Sequence, residues 1–259
     1  MKQKIFLSLL FIVFFEAILF GQLKYTYSQF GKETVDFIKQ PTKWKAADYV
    51  LPIATIWLTF EMMIDYDQPI RDAVLNNQEY HNSIPIEFGR IWGELYTPIF
   101  FFGGFAIHSL IANDKGTRKI AYEIVQASLY AGAVTFLLKM AIGRARPFME
   151  EGTTSFHPFS SIFIQDNHSL PGGHMTAAMV LSTVISRNVK PIWLKTLAYL
   201  PAILTCISRV YQDKHWASDE LMVAALGYCI ASWVVDQHED KKFIIEMASV
   251  YPVSFRIAL

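Results

Sequence analysis

Cysteine, charge and strand-forming alternation are what this 259-residue sequence has least of. Its two cysteines, Cys206 and Cys229, lie in separate apolar stretches with no C-x-x-C spacing. That argues against a structural zinc site and leaves them as buried thiols. Charged residues make up only 18%, and 23 Lys and Arg balance 23 Asp and Glu. No overall field therefore favours nucleic acid or an acidic surface, and any basic function must come from local clusters. No carboxylate cluster suits magnesium. No alternating strand pattern, internal repeat or low-complexity tract interrupts the chain.

What is present is apolar. Hydrophobic residues reach 53% and aromatics 15%, which points to a membrane protein or to a helical domain with a very greasy core. Lys2 and Lys4 precede an apolar run over 5–20, and Gly21-Gln22 offers a small-residue cleavage point. Residues 1–21 therefore read as a signal peptide or membrane anchor. A polar lead-in covers 22–45. Six apolar stretches follow, at about 49–64, 97–112, 120–142, 175–185, 192–207 and 221–235, and their length and composition predict helices. The expected fold is all-α: a six-helix bundle over 46–240, with an active site at one end, a preceding signal or anchor helix, and a tail over 241–259.

Most of these stretches fall short of the ~20 apolar residues of a membrane span, or carry a charge such as Glu61, Glu123 or Lys195. A bundle crossing a bilayer and an exported compact bundle are both open. In the first case Lys39, Lys43, Lys45, 115–119, Arg187, Lys190, Lys241 and Lys242 share a cytoplasmic side. Either way the chain belongs to the cell envelope, with its chemical segments on the periplasmic or extracytoplasmic side.

Those segments are three. In the first, Lys139 and Arg146 stand seven apart, about two helical turns, and share a face if the helix runs on to Pro147. Arg144 then faces elsewhere. An arginine fork and a lysine point charge both suit phosphate oxygens. The second, Pro171-Gly172-Gly173-His174, opens an apolar helix. Its glycines allow close backbone approach, and successive N–H groups at a helix start attract an anion. The third holds Ser208, Arg209, His215 and Asp219. The last two are four apart, so on a helix the carboxylate can hold the imidazole in one tautomer. Taken singly, each segment has an ordinary structural explanation: a basic helix end, a turn, a helix cap. Their succession on helix ends that gather at one side of a bundle makes one site of them.

Together they resemble the signature of the type 2 phosphatidic acid phosphatase and vanadium haloperoxidase superfamily: K-x6-RP, PSGH and SR-x5-H-x3-D. The resemblance implies a phosphatase in which His215 is the nucleophile and forms a phosphohistidine, Asp219 orients it, and His174 protonates the leaving oxygen and then activates water. It implies that Lys139, Arg146, Arg209 and the backbone at Gly172 and Gly173 bind the phosphoryl oxygens, with no metal or other cofactor. One position departs: the motif's serine is Gly172 here. A lost hydroxyl donor implies a weaker but active site, and Gly172→Ser is expected to keep or raise turnover.

The favoured partner is a phosphorylated lipid, acted on as a phosphomonoester or diphosphate, at a membrane and without nucleic acid. A broad-specificity exported acid phosphatase, a vanadate-dependent haloperoxidase and a non-catalytic lipid-phosphate binder are the alternatives. The other histidines, including His157 and His168 of the long irregular loop over 149–168, are expected to play no direct part.

Overall fold

The computed structural model describes residues 25–161 and 163–239. The expected signal or anchor at 1–21 and the tail at 241–259 lie outside them. Among the described residues the fold is all-α, with no β-strand.

Four helices make the core. They are α5 (Tyr96–Ile111), α6 (Lys115–Ile142), α7 (Gly173–Asn188) and α10 (Ala217–His238). Around them stand α1 (Tyr27–Lys39), α2 (Val50–Asp65), α3 (Asp67–Leu75), α4 (Ile84–Trp92), α8 (Ile192–Leu197) and α9 (Leu200–Tyr211). The core packs small residues against branched ones: Ala121, Ile124 and Ala127 of α6 meet Leu181 and Val184 of α7 and Val234 of α10. α6 begins where the Asp114 side chain accepts from the Gly116 N–H at 2.8 Å. It ends where Gly143 turns left-handed, at φ 62°. No other residue fits there, because a Cβ on Gly143 would lie 1.8 Å from the His157 carbonyl oxygen.

The described residues hold ten helices where six were expected: α1, α3 and α4 are additional, one expected stretch breaks in two, and another stops short. The polar lead-in contains α1, an amphipathic helix capped by Thr26, whose hydroxyl accepts from the Gln29 N–H. Phe37 of α1 stacks on Tyr130 at 4.5 Å, and Glu33 accepts from Tyr122 and Gln126 of α6. The stretch expected as one helix over 192–207 breaks into α8 and α9, with Pro201 in the first turn of the second. The helix carrying Lys139 stops at Ile142 and does not run on to Pro147. Arg146 therefore stands on extended chain, at φ −73° and ψ 154°.

Among the described residues, three helices, Ala46–Asp65, Lys115–Ile142 and Ala217–His238, are long and apolar enough to cross a membrane. α4 and α5 meet at a 69° bend and would pass together as one broken span. Their outward faces are greasy: Trp57 and Ile64 of α2, Phe100 and Ile111 of α5 and Leu137 of α6 are all more than 60% exposed. So much uncovered apolar surface fits acyl chains rather than water, and the protein is membrane-associated.

Candidate active site

The three segments meet at one end of the bundle. Lys139 is in the last turn of α6, Arg146 follows it, His174 opens α7, Arg209 closes α9, and Asp219 lies in the first turn of α10. His215 sits in the turn between α9 and α10 and is 2% exposed.

His215 is not helical, and its tautomer is set differently from the i,i+4 expectation. Its Nδ1 donates to the Ser169 carbonyl oxygen at 2.7 Å. A carbonyl only accepts, so the proton is on Nδ1 and the Nε2 lone pair is free. Asp219 lies 3.9 Å from Nδ1 and acts one step back. Its Oδ2 accepts from the Ser169 hydroxyl and the Trp216 N–H, at 2.5 and 3.0 Å, so it fixes both the acceptor of His215 and the chain beside it.

Arg144 explains why the carboxylate stays put. Its guanidinium is fully buried and donates to Asp219 at 2.5 Å, to Asp67 at 2.8 Å, to the Ser218 hydroxyl at 2.8 Å and to the Thr153 carbonyl. Ser218 in turn donates its N–H and hydroxyl to Asp67. Arg144 thus ties α3, the long loop and α10 into one knot, and it faces Trp216 at 5.4 Å. It is a scaffold cation, distinct from those that face the site.

The remaining cations have no carboxylate within ion-pair distance among the described residues. Lys139 Nζ donates to the His168 carbonyl at 2.8 Å. Arg146 Nε donates to the Gln165 carbonyl at 3.1 Å. Arg209 donates to the Gln212 side chain at 3.0 Å, while its buried Nε is unpaired. Burial and the charges of Lys139, Arg146 and Arg209 push the His215 imidazole well below its ordinary value, so it stays neutral. Burial also lowers the Arg146 guanidinium. α7 begins at Gly173 with no side-chain cap, and the N–H groups of Gly173, His174 and Met175 have no acceptor among the described residues. Three cations and an uncapped helix start converge on one neutral imidazole, an arrangement that holds a tetrahedral oxyanion.

His174 Nε2 stands 3.3 Å from Glu94 Oε1, at the bend between α4 and α5. Burial and then the Arg209 charge lower the His174 imidazole, and Glu94 raises it. Sequence reasoning missed Glu94, which carries no motif. It also missed Ser169, whose contribution is a backbone carbonyl, and Asp67, whose partner lies 77 residues away. The carbonyl of His168 serves Lys139, while its buried ring Nε2 is unpaired.

Gly172 borders the site as expected, but the space beside it is taken. A Cβ there would meet Glu220 Oε1 at 2.6 Å. A serine at 172 therefore requires the buried Glu220 carboxyl to shift.

An apolar cleft of about 490 Å³ runs along α10 from Met222 to Trp233, bounded by α1, α2 and Val134 of α6. It begins one turn beyond Asp219 and contains none of the cations.

A family model described as the PAP2 superfamily matches residues 122–243, which include Lys139, His174, His215 and Asp219. A lipid A 1-phosphatase from Rhizobium johnstonii is 29% identical over 204 residues, covering 72% of this chain and 78% of its own. An undecaprenyl-diphosphatase from Sulfolobus acidocaldarius is 28% identical over 131 residues, 49% of this chain and 58% of its own. The crystal structure of a transmembrane PAP2-type phosphatidylglycerolphosphate phosphatase from Bacillus subtilis shares the fold, with a TM-score of 0.51 at 17% identity, over 76% of this chain and 99% of that one.

Proposed function

Because the chain belongs to the PAP2 superfamily and is a phosphatase of that class, we propose that it removes a phosphate from a membrane lipid, phosphomonoester or diphosphate, through a phosphohistidine on His215. The observation that carries this reading is the set of unpaired cations, Lys139, Arg146 and Arg209, around an imidazole whose Nδ1 is tied and whose Nε2 is free.

Nε2 attacks phosphorus in line while the cations and the first-turn amides of α7 take up the developing charge. His174, held by Glu94, gives its proton to the leaving oxygen, an alcohol or a lipid monophosphate. It then takes a proton from water, which attacks the phosphohistidine and releases phosphate and neutral His215. Asp219 and Arg144 keep Ser169 in place throughout.

A lipid substrate is favoured by the apolar outer faces and by the cleft beside α10. Orientation follows from charge. Lys119 Nζ meets Asn188 at 2.9 Å, so Lys115, Lys119, Arg187 and Lys190 lie at the ends of α6 and α7 remote from Lys139 and His174. α6 has 28 residues, about 40 Å, so the site faces the non-cytoplasmic side if the basic end faces in.

The test compares wild type and His215→Ala in detergent without added metal, on a glycolipid 1-phosphate, a polyprenyl diphosphate and a soluble phosphomonoester. Phosphate release from a lipid in wild type alone is expected. Release that survives in His215→Ala rejects the phosphohistidine, and preference for the soluble ester rejects the lipid assignment.

A further inference from the structure

Glu220 has no place in the mechanism above, yet it is among the most conspicuous side chains at the site. It is fully buried, and neither carboxyl oxygen has a hydrogen-bond partner. Oε1 lies 3.9 Å from His215 Nδ1. The same oxygen lies 2.6 Å from where a Cβ on Gly172 would stand, with Cδ at 3.4 Å and Oε2 at 3.6 Å. The room beside Gly172, where the resembled motif carries a serine, is thus filled from another helix. Two unusual positions, 48 residues apart in the chain, occupy one space.

A carboxyl placed there has two options. Ionised, it adds negative charge where an anion must bind. Carrying its proton, it is a hydroxyl-type donor next to the anion, as a serine is. Lys139 of α6, Arg146 of the loop, Arg209 of α9 and Asp219 of its own helix bear on it, and Cys206 of α9 and His215 are close. None of them is within hydrogen-bonding distance of it.

We propose that Glu220, as the neutral acid, donates a hydrogen bond to a phosphoryl oxygen and so replaces the serine hydroxyl that Gly172 cannot supply. The step makes and breaks no bond to phosphorus, and the proton stays on Glu220. The inference rests on the phosphatase reading of the same site. It implies that glycine at 172 and glutamate at 220 are a matched pair: a serine at 172 requires the Glu220 carboxyl to leave the space it now fills.

The experiment is a double-mutant cycle on the full chain in detergent, using Gly172→Ser, Glu220→Ala, Glu220→Gln and Gly172→Ser with Glu220→Ala. It reads kcat and KM on a lipid phosphomonoester, the pH profile, the melting temperature, and binding of inorganic phosphate. Loss of one oxyanion donor costs roughly 10²–10³ in kcat, so Glu220→Ala should lose kcat on that order with KM little changed. Glu220→Gln keeps a donor and should retain most activity, with a flatter fall on the alkaline side. Gly172→Ser alone should lose activity, and the double variant should recover to within about tenfold of wild type. Wild-type kcat in Glu220→Ala, or a double variant no better than that single change, overturns the proposal. If no substrate is turned over, the phosphatase reading fails separately. Phosphate binding then decides: Glu220→Ala must weaken it and the double variant restore it, or the pair has no role in anion binding.

Discussion

At the scale of single residues, the two histidines need opposite protonation states. His215 must be neutral to attack. Burial and three cations hold its imidazole below the ordinary value of about 6.5, so the attacking form persists into acid. The acid limb of kcat/KM should therefore fall below pH 6.5; a limb at or above that value would show that the nucleophile is another group. His174 must carry a proton although burial and then the Arg209 charge lower its imidazole overall, and Glu94 is the group that works against them. Glu94→Gln removes that support, so the alkaline limb should move to lower pH. A displacement of one unit cuts the protonated fraction about tenfold. An unmoved alkaline limb in this variant would sever Glu94 from His174.

At the scale of elements, the knot around Arg144 holds the ends of α6 and α10 in register with α3. Arg144→Ala leaves Asp67 and Asp219 buried without their cation, and breaking such a pair costs roughly 3–5 kcal/mol. The melting temperature in detergent should drop sharply and activity should vanish with it. Gly143→Ala forces a Cβ into the His157 carbonyl and should impair folding by the same assay, whereas alanine at Gly132, with open space around it, should be tolerated. The core helices were legible from their apolar stretches because their faces are greasy almost all round. α1, α3 and α4 were not, since each mixes polar and apolar residues and gains its partner only from the packed bundle. The cations and histidines were legible through the three segments together and their resemblance to the superfamily signature. The hydrogen bond that fixes His215 was not, because its acceptor is a backbone oxygen. Asp219 was legible as a partner and illegible as an indirect one, since the i,i+4 rule presumes a helix that starts two residues later than His215.

For the whole molecule, one end bears the cations that face the site and the other a separate cluster of lysine and arginine, joined through the apolar body. A cysteine at Phe163, which is 87% exposed in the long loop, should react with a membrane-impermeant maleimide added to intact cells. One at exposed Lys190, beyond α7 at the far end, should react only after lysis. The reverse pattern would invert the assigned orientation. The loop that carries Phe163 also closes on Arg144 at both feet: Thr153 accepts from its guanidinium, and Ser169 donates its N–H to its carbonyl. The downstream foot holds His215, and the Gln165 and His168 carbonyls just before it hold Arg146 and Lys139, so only the exposed tip around Phe163 stands apart from the chemistry. Variation confined to that tip can then change what meets the head group while the reaction beneath it is inherited unchanged.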